Sequence, residues 1–197
     1  MIYRKTSAWL TGTLLLLALN SPAAAVNTTW TFNGSGSWED GSKWSNGAPT
    51  NSTFDVAIDD GDSAATVTLG TLSRSINSLT LGADDTVVVP ESSSAFALIL
   101  TVANGFTNSG TIRLAGSGLS STSFSSLAVT TGTVTNSGSG LMHFQSGGAS
   151  SRRFTGDMTN QGGTIQIDAP TTFNKLFALA KASADVAPGT IAVRAAS

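Results

Sequence analysis

Three stretches of the chain share one pattern, in which an apolar residue is followed by Thr-Asn, a polar residue and glycine. They read FTNSGTIRL at residues 106–114, VTNSGSGL at residues 134–141 and MTNQGGTIQI at residues 158–167. A short strand with alternating apolar residues follows each copy. The asparagines are spaced by 28 and 24 residues (136 − 108 and 160 − 136). Such spacing is typical of stacked repeat architectures, so we expect like residues to lie above like.

Stacked copies predict an all-β fold, a right-handed parallel β-helix (solenoid) in which each coil returns the chain about 4.8 Å above its start. Asn108, Asn136 and Asn160 are expected to form a structural ladder at one corner, because each side-chain amide can bond the next. The residues expected to point inward are Ile112, Leu114, Leu141, Phe144, Ile165 and Ile167. The alternative is a β-sandwich, in which Thr-Asn-Ser-Gly is only a hairpin turn.

Short apolar runs separated by turn residues are compatible with both the β-helix and the β-sandwich. The predicted strands are Phe54–Ile58, Thr66–Leu69, Ser78–Leu81, Thr86–Val89, Leu98–Val102, Thr111–Leu114, Leu127–Thr130, Leu141–Phe144 and Thr164–Ile167.

The composition excludes several classes of function. Only 11% of the residues are charged and the net charge is −2, so the chain lacks the basic surface that nucleic acid requires. It contains no cysteine, which excludes disulfides, thiolate zinc sites and cysteine nucleophiles. No cofactor is expected.

Residues 1–25 have the pattern of a secretory signal peptide. Arg4 and Lys5 precede the apolar run Ala8–Leu19, and Ala23 and Ala25 form an A-x-A cleavage pattern. The apolar run is too short to span a membrane comfortably. We therefore expect export, with no membrane span in the mature chain and a net charge that moves from −2 to −4 on loss of the two basic residues.

The mature chain opens with a tryptophan-rich segment, residues 26–50, that contains Trp30, Trp38 and Trp44. We expect these rings to cover the apolar end of the first coil. The alternative is that they stack on sugar rings. Residues 51–170 are assigned to the coils. For residues 171–197 we expect either a helix over Phe173–Ala182 that caps the last coil or a truncated end.

These features resemble the N-terminal part of bacterial autotransporter-type passengers and related exported β-strand-repeat surface proteins. The resemblance lies in Trp30-Thr31, Ser37-Trp38 and Lys43–Pro49, then in Asp55–Ile58 and Ile76–Gly82, and it covers about residues 28–168. Lys43 stands where asparagine is commoner. Family members continue for more coils to an anchor or translocator, so the chain is compatible with a fragment of a longer passenger. The resemblance implies a protein at the cell surface or outer membrane, or in the periplasm or extracellular space.

No residue pattern indicates an active site, and we expect no enzymatic activity. His143 is the single histidine and alternates with Met142 and Phe144, which places it on the outer side of a strand. The carboxylates Asp59, Asp60, Asp62, Asp84 and Asp85 fit turns better than a catalytic pair or a calcium loop, and no metal site is expected.

The sequence therefore predicts an exported structural or adhesin-like surface or matrix protein. Its expected partners are host or matrix glycans or proteins. The alternative is a carbohydrate-binding or polysaccharide-degrading β-helix that uses the tryptophans or the aspartates.

Overall fold

The computed structural model describes residues 24–59, 61, 63–92, 96–116, 123–147, 151–175, 177–179 and 190–193. Within this part of the chain, one 3-10 helix (Gly41–Lys43) accompanies seventeen strands, of which two, with 14 and 11 residues, are long. In chain order the strands are β1 (Val26–Thr29), β2 (Gly36–Ser37), β3 (Phe54–Ile58), β4 (Thr66–Thr68), β5 (Arg74–Ile76), β6 (Ser78–Leu81), β7 (Thr86–Val89), β8 (Leu98–Val102), β9 (Thr107–Asn108), β10 (Thr111–Leu114), β11 (Phe124–Ser137), β12 (Leu141–Phe144), β13 (Ser151–Gln161), β14 (Thr164–Ile167), β15 (Thr171–Phe173), β16 (Phe177–Leu179) and β17 (Thr190–Val193).

The strands stack in three positions, here called faces. Face 1 contains β1, β3, β6, β9, the second parts of β11 and β13, and β16; face 2 contains β2, β4, β7, β10, β12, β14 and β17; face 3 contains β5, β8, the first parts of β11 and β13, and β15. Every strand pairing in the described chain is parallel.

The fold is therefore a β-solenoid of about five turns. The β-sandwich alternative is wrong, because the sheets of a sandwich are antiparallel. The right-handed sense of the coil stays a prediction.

Columns of apolar side chains fill the interior, because in-register pairing puts each inward residue over its counterpart in the previous coil. One column on face 2 is completely buried and consists of Val67, Val87, Ile112, Met142 and Ile165. Each such side chain stabilises the fold by roughly 1.5–3 kcal/mol relative to an exposed one.

One inward prediction is wrong by a single residue. In β12 it is Met142, not Leu141, that pairs with Ile112 and Ile165 and points inward, while Leu141 is half-buried on the outer side. The other residues predicted to point inward are buried or packed against the core: Ile112, Leu114, Phe144, Ile165 and Ile167.

Strands β11 and β13 pass from face 3 to face 1 at a corner with unequal numbers of residues. Ala128 pairs with Thr155 and Thr133 pairs with Asp157, so residues 129–132 of β11 lie opposite Gly156 alone. Gly132 has φ of +76° and Gly156 has φ of +149°, in the region that favours glycine. The corner absorbs the difference in length, and the register resumes after it.

Both ends differ from the predicted division of the chain. The helix expected over Phe173–Ala182 is wrong where the structure describes it, since β15 and β16 both pair with β13. Partner strands outweigh the helix-forming composition there. Val26–Thr29, assigned to the cap, form β1 and pair with β3. Residues 1–23 and 180–189, which hold most of the predicted signal peptide and the rest of the predicted helix, lie outside the described residues.

Candidate functional site

The predicted asparagines occupy one inward column of face 1. Asn108, Asn136 and Asn160 pair in register and are each 0% exposed. Asn108 Nδ2 donates to Asn136 Oδ1 over 2.7 Å, and Asn136 Nδ2 donates to Asn160 Oδ1 over 2.7 Å. Asn160 Nδ2 donates to the carbonyl oxygen of Gly163 over 2.9 Å. The ladder is continuous from one coil to the next.

The same amides bind the turn that leads to face 2. Asn136 Nδ2 also donates to the carbonyl oxygen of Thr164 over 3.1 Å. A Cβ atom added to Gly163 would lie 2.4 Å from Asn136 Nδ2, and one added to Gly140 would lie 2.5 Å from Asn136 Oδ1. The close approach of the Asn136 amide therefore requires glycine at positions 140 and 163.

The asparagine ladder begins at Asn108. In the two preceding coils the same column holds Ile58 and Leu81, and Leu81 pairs with Asn108. Asn108 Oδ1 thus faces an apolar neighbour, and within the described part of the chain this buried oxygen accepts no hydrogen bond. A buried polar atom left unpaired costs about 1–3 kcal/mol.

A second polar line, which the sequence did not predict, runs along the corner between faces 3 and 1. Asn77 Nδ2 donates to Asp55 Oδ1 over 2.7 Å, and Asn104 Nδ2 donates to Asn77 Oδ1 over 3.0 Å. The hydroxyl of Thr131 donates to Asn104 Oδ1 over 3.2 Å. Asn104 and Thr131 are exposed, so water competes for these bonds.

The three tryptophans form a buried cluster at the N-terminal end. Trp30, Trp38 and Trp44 are 1%, 0% and 4% exposed, and their rings meet edge to face at 5.1 and 5.2 Å between centroids. Each indole N–H donates to a backbone carbonyl: that of Trp30 to Gly34, that of Trp38 to Pro49 and that of Trp44 to Trp38. No ring face is open to a sugar in this arrangement, so the structure supports packing of the first coil and gives no support to stacking on glycans.

Of the aspartates considered from the sequence, Asp59 and Asp85 lie near one another, since a Cβ atom added to Gly82 would lie 3.2 Å from Asp59 Oδ1 and 2.5 Å from Asp85 Oδ2. Asp85 is buried and its Oδ1 accepts the backbone N–H of Ala65 over 2.9 Å, which fixes the turn before β7. Asp59 and Asp84 are exposed. Asp60 and Asp62 lie outside the described residues.

A polar cluster that sequence reasoning missed lies on the outer side of face 2. Arg113, His143 and Gln166 are in register on β10, β12 and β14. Asp168 Oδ2 lies 2.9 Å from His143 Nε2 and accepts from Gln166 Nε2 over 2.6 Å. His143 and Asp168 are 18% and 15% exposed. The outward position of His143 agrees with the alternation in β12, but its neighbours come from the coil before it and the coil after it.

A second group of charged residues is internal. Arg152 is 0% exposed and donates to the carbonyl oxygens of Gln145, Gly147 and Ser151. Burial lowers the pKa of the Arg152 guanidinium, and the Glu91 carboxylate opposes that shift. Arg152 ties together the turn after β12 and the start of β13, which is a structural role.

Among the described residues, no group of three or more His, Asp or Glu side chains is placed to hold a metal ion. The same residues contain no helix with the length and apolar character needed to cross a membrane. Compared with protein-family models, curated proteins and solved structures, the chain has no match.

Proposed function

We propose that this chain is an exported structural protein of a cell surface or extracellular matrix, which acts like an adhesin through contacts spread along its outer faces. The observation that carries the proposal is the interior. Apolar columns and the amide ladder connect each coil to the next, which favours a stiff rod that holds its outer side chains in regular rows.

The outer rows support contacts that are individually weak and numerous. On face 1, Thr107, Thr135 and Thr159 are in register, and on face 2, Thr66, Thr86 and Thr111 are in register. These side chains are exposed or half-buried. A single hydrogen bond contributes only about 0.5–1.5 kcal/mol net, so adhesion through such rows needs many bonds.

Export rests on the N-terminal pattern of residues 1–25. The full chain expressed in a bacterial host should be cleaved after Ala25, and the N-terminal sequence of the exported product tests this. Recovery of only uncleaved chain in the cytoplasm would contradict export and leave the fold unaffected.

Adhesion is tested by binding the purified full chain to beads coated with extracellular polysaccharide or matrix protein. The variants are a face 2 triple, Thr66→Glu, Thr86→Glu and Thr111→Glu, and a face 1 triple, Thr107→Glu, Thr135→Glu and Thr159→Glu. We expect one triple to weaken binding strongly, while each single Thr→Ala variant changes it less than about threefold, the effect of roughly 0.6 kcal/mol. Loss of all binding on one single substitution would argue for a localised site instead.

The second candidate function is binding or degradation of polysaccharide, and the polar cluster on face 2 favours it. A histidine held by a carboxylate beside an arginine can move a proton or bind an anionic group. Release of new reducing ends from a polysaccharide, lost in His143→Gln, would select degradation over adhesion.

A further inference from the structure

We infer that face 2 carries a binding site for a single carboxylate or sulfate group of a saccharide, with the Arg113 guanidinium as its anchor. The inference deepens the proposed function and rests on it, because it names the ligand class for one part of one outer face.

Arg113 is the described arginine without a protein partner. Arg74 pairs with Glu39, Arg152 donates to three carbonyl oxygens, and Arg153 lies 3.6 Å from the centroid of the Phe124 ring. Arg113, on the outer side of β10, makes no hydrogen bond, ion pair or ring contact with any described residue. The Arg113 Nε atom is buried and makes no hydrogen bond. A ligand would therefore bind the two terminal nitrogens, which remain accessible to solvent.

A guanidinium in this position suits an oxyanion. Its planar fork of N–H donors matches the two oxygens of a carboxylate or sulfate, and charge-assisted bonds of this kind are about twice as strong as neutral ones. Arg113 is also half-buried, which reduces the screening of its charge by water.

The neighbouring residues leave the arginine available. His143 lies next to Arg113 in register, and its Nε2 is directed to Asp168. Asp168 follows β14, two strand spacings or about 10 Å from β10, and it is held by His143 and Gln166. The carboxylate therefore stands on the far side of the histidine, and no ion pair joins it to Arg113.

The adjoining outer row favours a saccharide as the carrier of the charge. Thr111, Leu141 and Thr164 are in register and half-buried, so hydroxyl groups flank an apolar side chain. Such a mixture matches the hydroxyls and the C–H face of a sugar ring. A nucleic acid would require many cations, and this chain has a net charge of −2.

Calorimetric titration of the full chain at low salt tests the inference. The carboxylate probe is tetragalacturonate with its methyl ester as the neutral counterpart, and the sulfate probe is a sulfated galactan oligosaccharide with its desulfated form. We expect an acidic probe to bind and its neutral counterpart to bind at least about tenfold more weakly. Arg113→Gln should lose at least about tenfold in affinity, and Arg113→Lys, which keeps the charge but not the fork, should lose less.

The matched control is Arg153→Gln, an outward arginine on face 3, which should bind like the parent chain. Equal affinity for charged and neutral probes, or an unchanged affinity in Arg113→Gln, overturns the site. If no acidic probe binds while the chain still adheres to coated beads, the ligand class is wrong and the proposed function stands. If an acidic probe binds through Arg113 while the beads are not bound, the site stands and adhesion falls.

Discussion

One inward column of face 1 is built in two different ways along the solenoid. The early coils fill it with Ile58 and Leu81, whereas the later coils fill it with Asn108, Asn136 and Asn160. The strands pair in parallel in both regions. Apolar packing is non-directional, whereas an amide bonds the amide of the next coil only when the two lie at matching heights. The later coils therefore fix their alignment inside the core.

The early coils have directed bonds at the corner between faces 3 and 1 instead, where Asn77 Nδ2 bonds Asp55 Oδ1 and Asn104 Nδ2 bonds Asn77 Oδ1. The tryptophan cluster packs their N-terminal end. Three indole N–H groups bond backbone carbonyls while the rings pack edge to face. These indole bonds all lie within residues 30–49, so the cluster stabilises the first coil locally, whereas the amide ladder bonds one coil to the next.

The largest effect is expected at the tryptophan cluster. Trp38→Ala should lower the free energy of unfolding by about 4 kcal/mol, because it removes a completely buried ring and leaves a cavity. Urea denaturation measures the change. The control is Phe32→Ala, at a ring that is 43% exposed, which should cost less than about 1 kcal/mol. Equal losses in the two variants would show that the cluster does not hold the early coils.

The next largest effect is expected in the middle of the ladder. Asn136→Ala should lower the free energy of unfolding by about 3 kcal/mol, because it removes two buried hydrogen bonds between side chains. The buried amides of Asn108 and Asn160 then each lose one hydrogen-bond partner. Asn104→Ala, in the exposed polar line, serves as the control and should cost less than about 1 kcal/mol. A melting temperature unchanged in Asn136→Ala would remove the ladder as a source of stability.

A smaller difference is expected where the two regions meet. Leu81→Asn and Ile58→Asn both bury an amide in the column, but only the first places it next to the unpaired Asn108 Oδ1. Leu81→Asn should therefore be less destabilising than Ile58→Asn by about 1–2 kcal/mol. The two denaturation curves are compared directly, and the reverse order would mean that the column selects for shape rather than for bonding.

The smallest effect concerns pH. The Ser42 hydroxyl bonds Asp40 Oδ1 over 2.6 Å and holds the pKa of that carboxyl below its ordinary value. A depressed pKa adds stability above the ordinary value, and this is lost as the pH falls through the folded-state pKa. The melting temperatures of the parent chain and Asp40→Asn should therefore converge in acid. The parent chain and Asn136→Ala should keep their difference in the same pH range, because amides do not titrate.

The sequence predicted the parts of the fold that repeat. Strands such as Ser78–Leu81 and Thr164–Ile167 have the predicted bounds, because alternation and flanking turn residues mark both ends. The sequence did not predict β13, because the charged residues Arg152, Arg153 and Asp157 interrupt the alternation of apolar and polar residues. The strand forms because it pairs with β11. Leu141 and Met142 are both apolar, so alternation alone could not decide which one faces inward.

The candidate sites, too, were predictable only where they repeat. The ladder was predictable because its three asparagines stand in copies of one motif. The polar cluster of Arg113, His143, Gln166 and Asp168 was not, because its members share no motif and are placed on one side of face 2 only by the register of three coils. Burial of the tryptophans was the preferred expectation, but their hydrogen bonds to backbone carbonyls required coordinates.

At the corner where β11 and β13 turn from face 3 to face 1, the two strands have different numbers of residues, so the chain tolerates a change in length there. A one-residue slip inside a strand would exchange the interior and exterior side chains of all that follows. On the β13 side of the corner, residues 129–132 lie opposite Gly156 alone, yet Asn136 still pairs with Asn160. On the other side Val129 is buried and pairs with Val102. Codons gained or lost between Val129 and Thr133 leave inside and outside assigned as before, so this part of the corner is where peptides could be grafted.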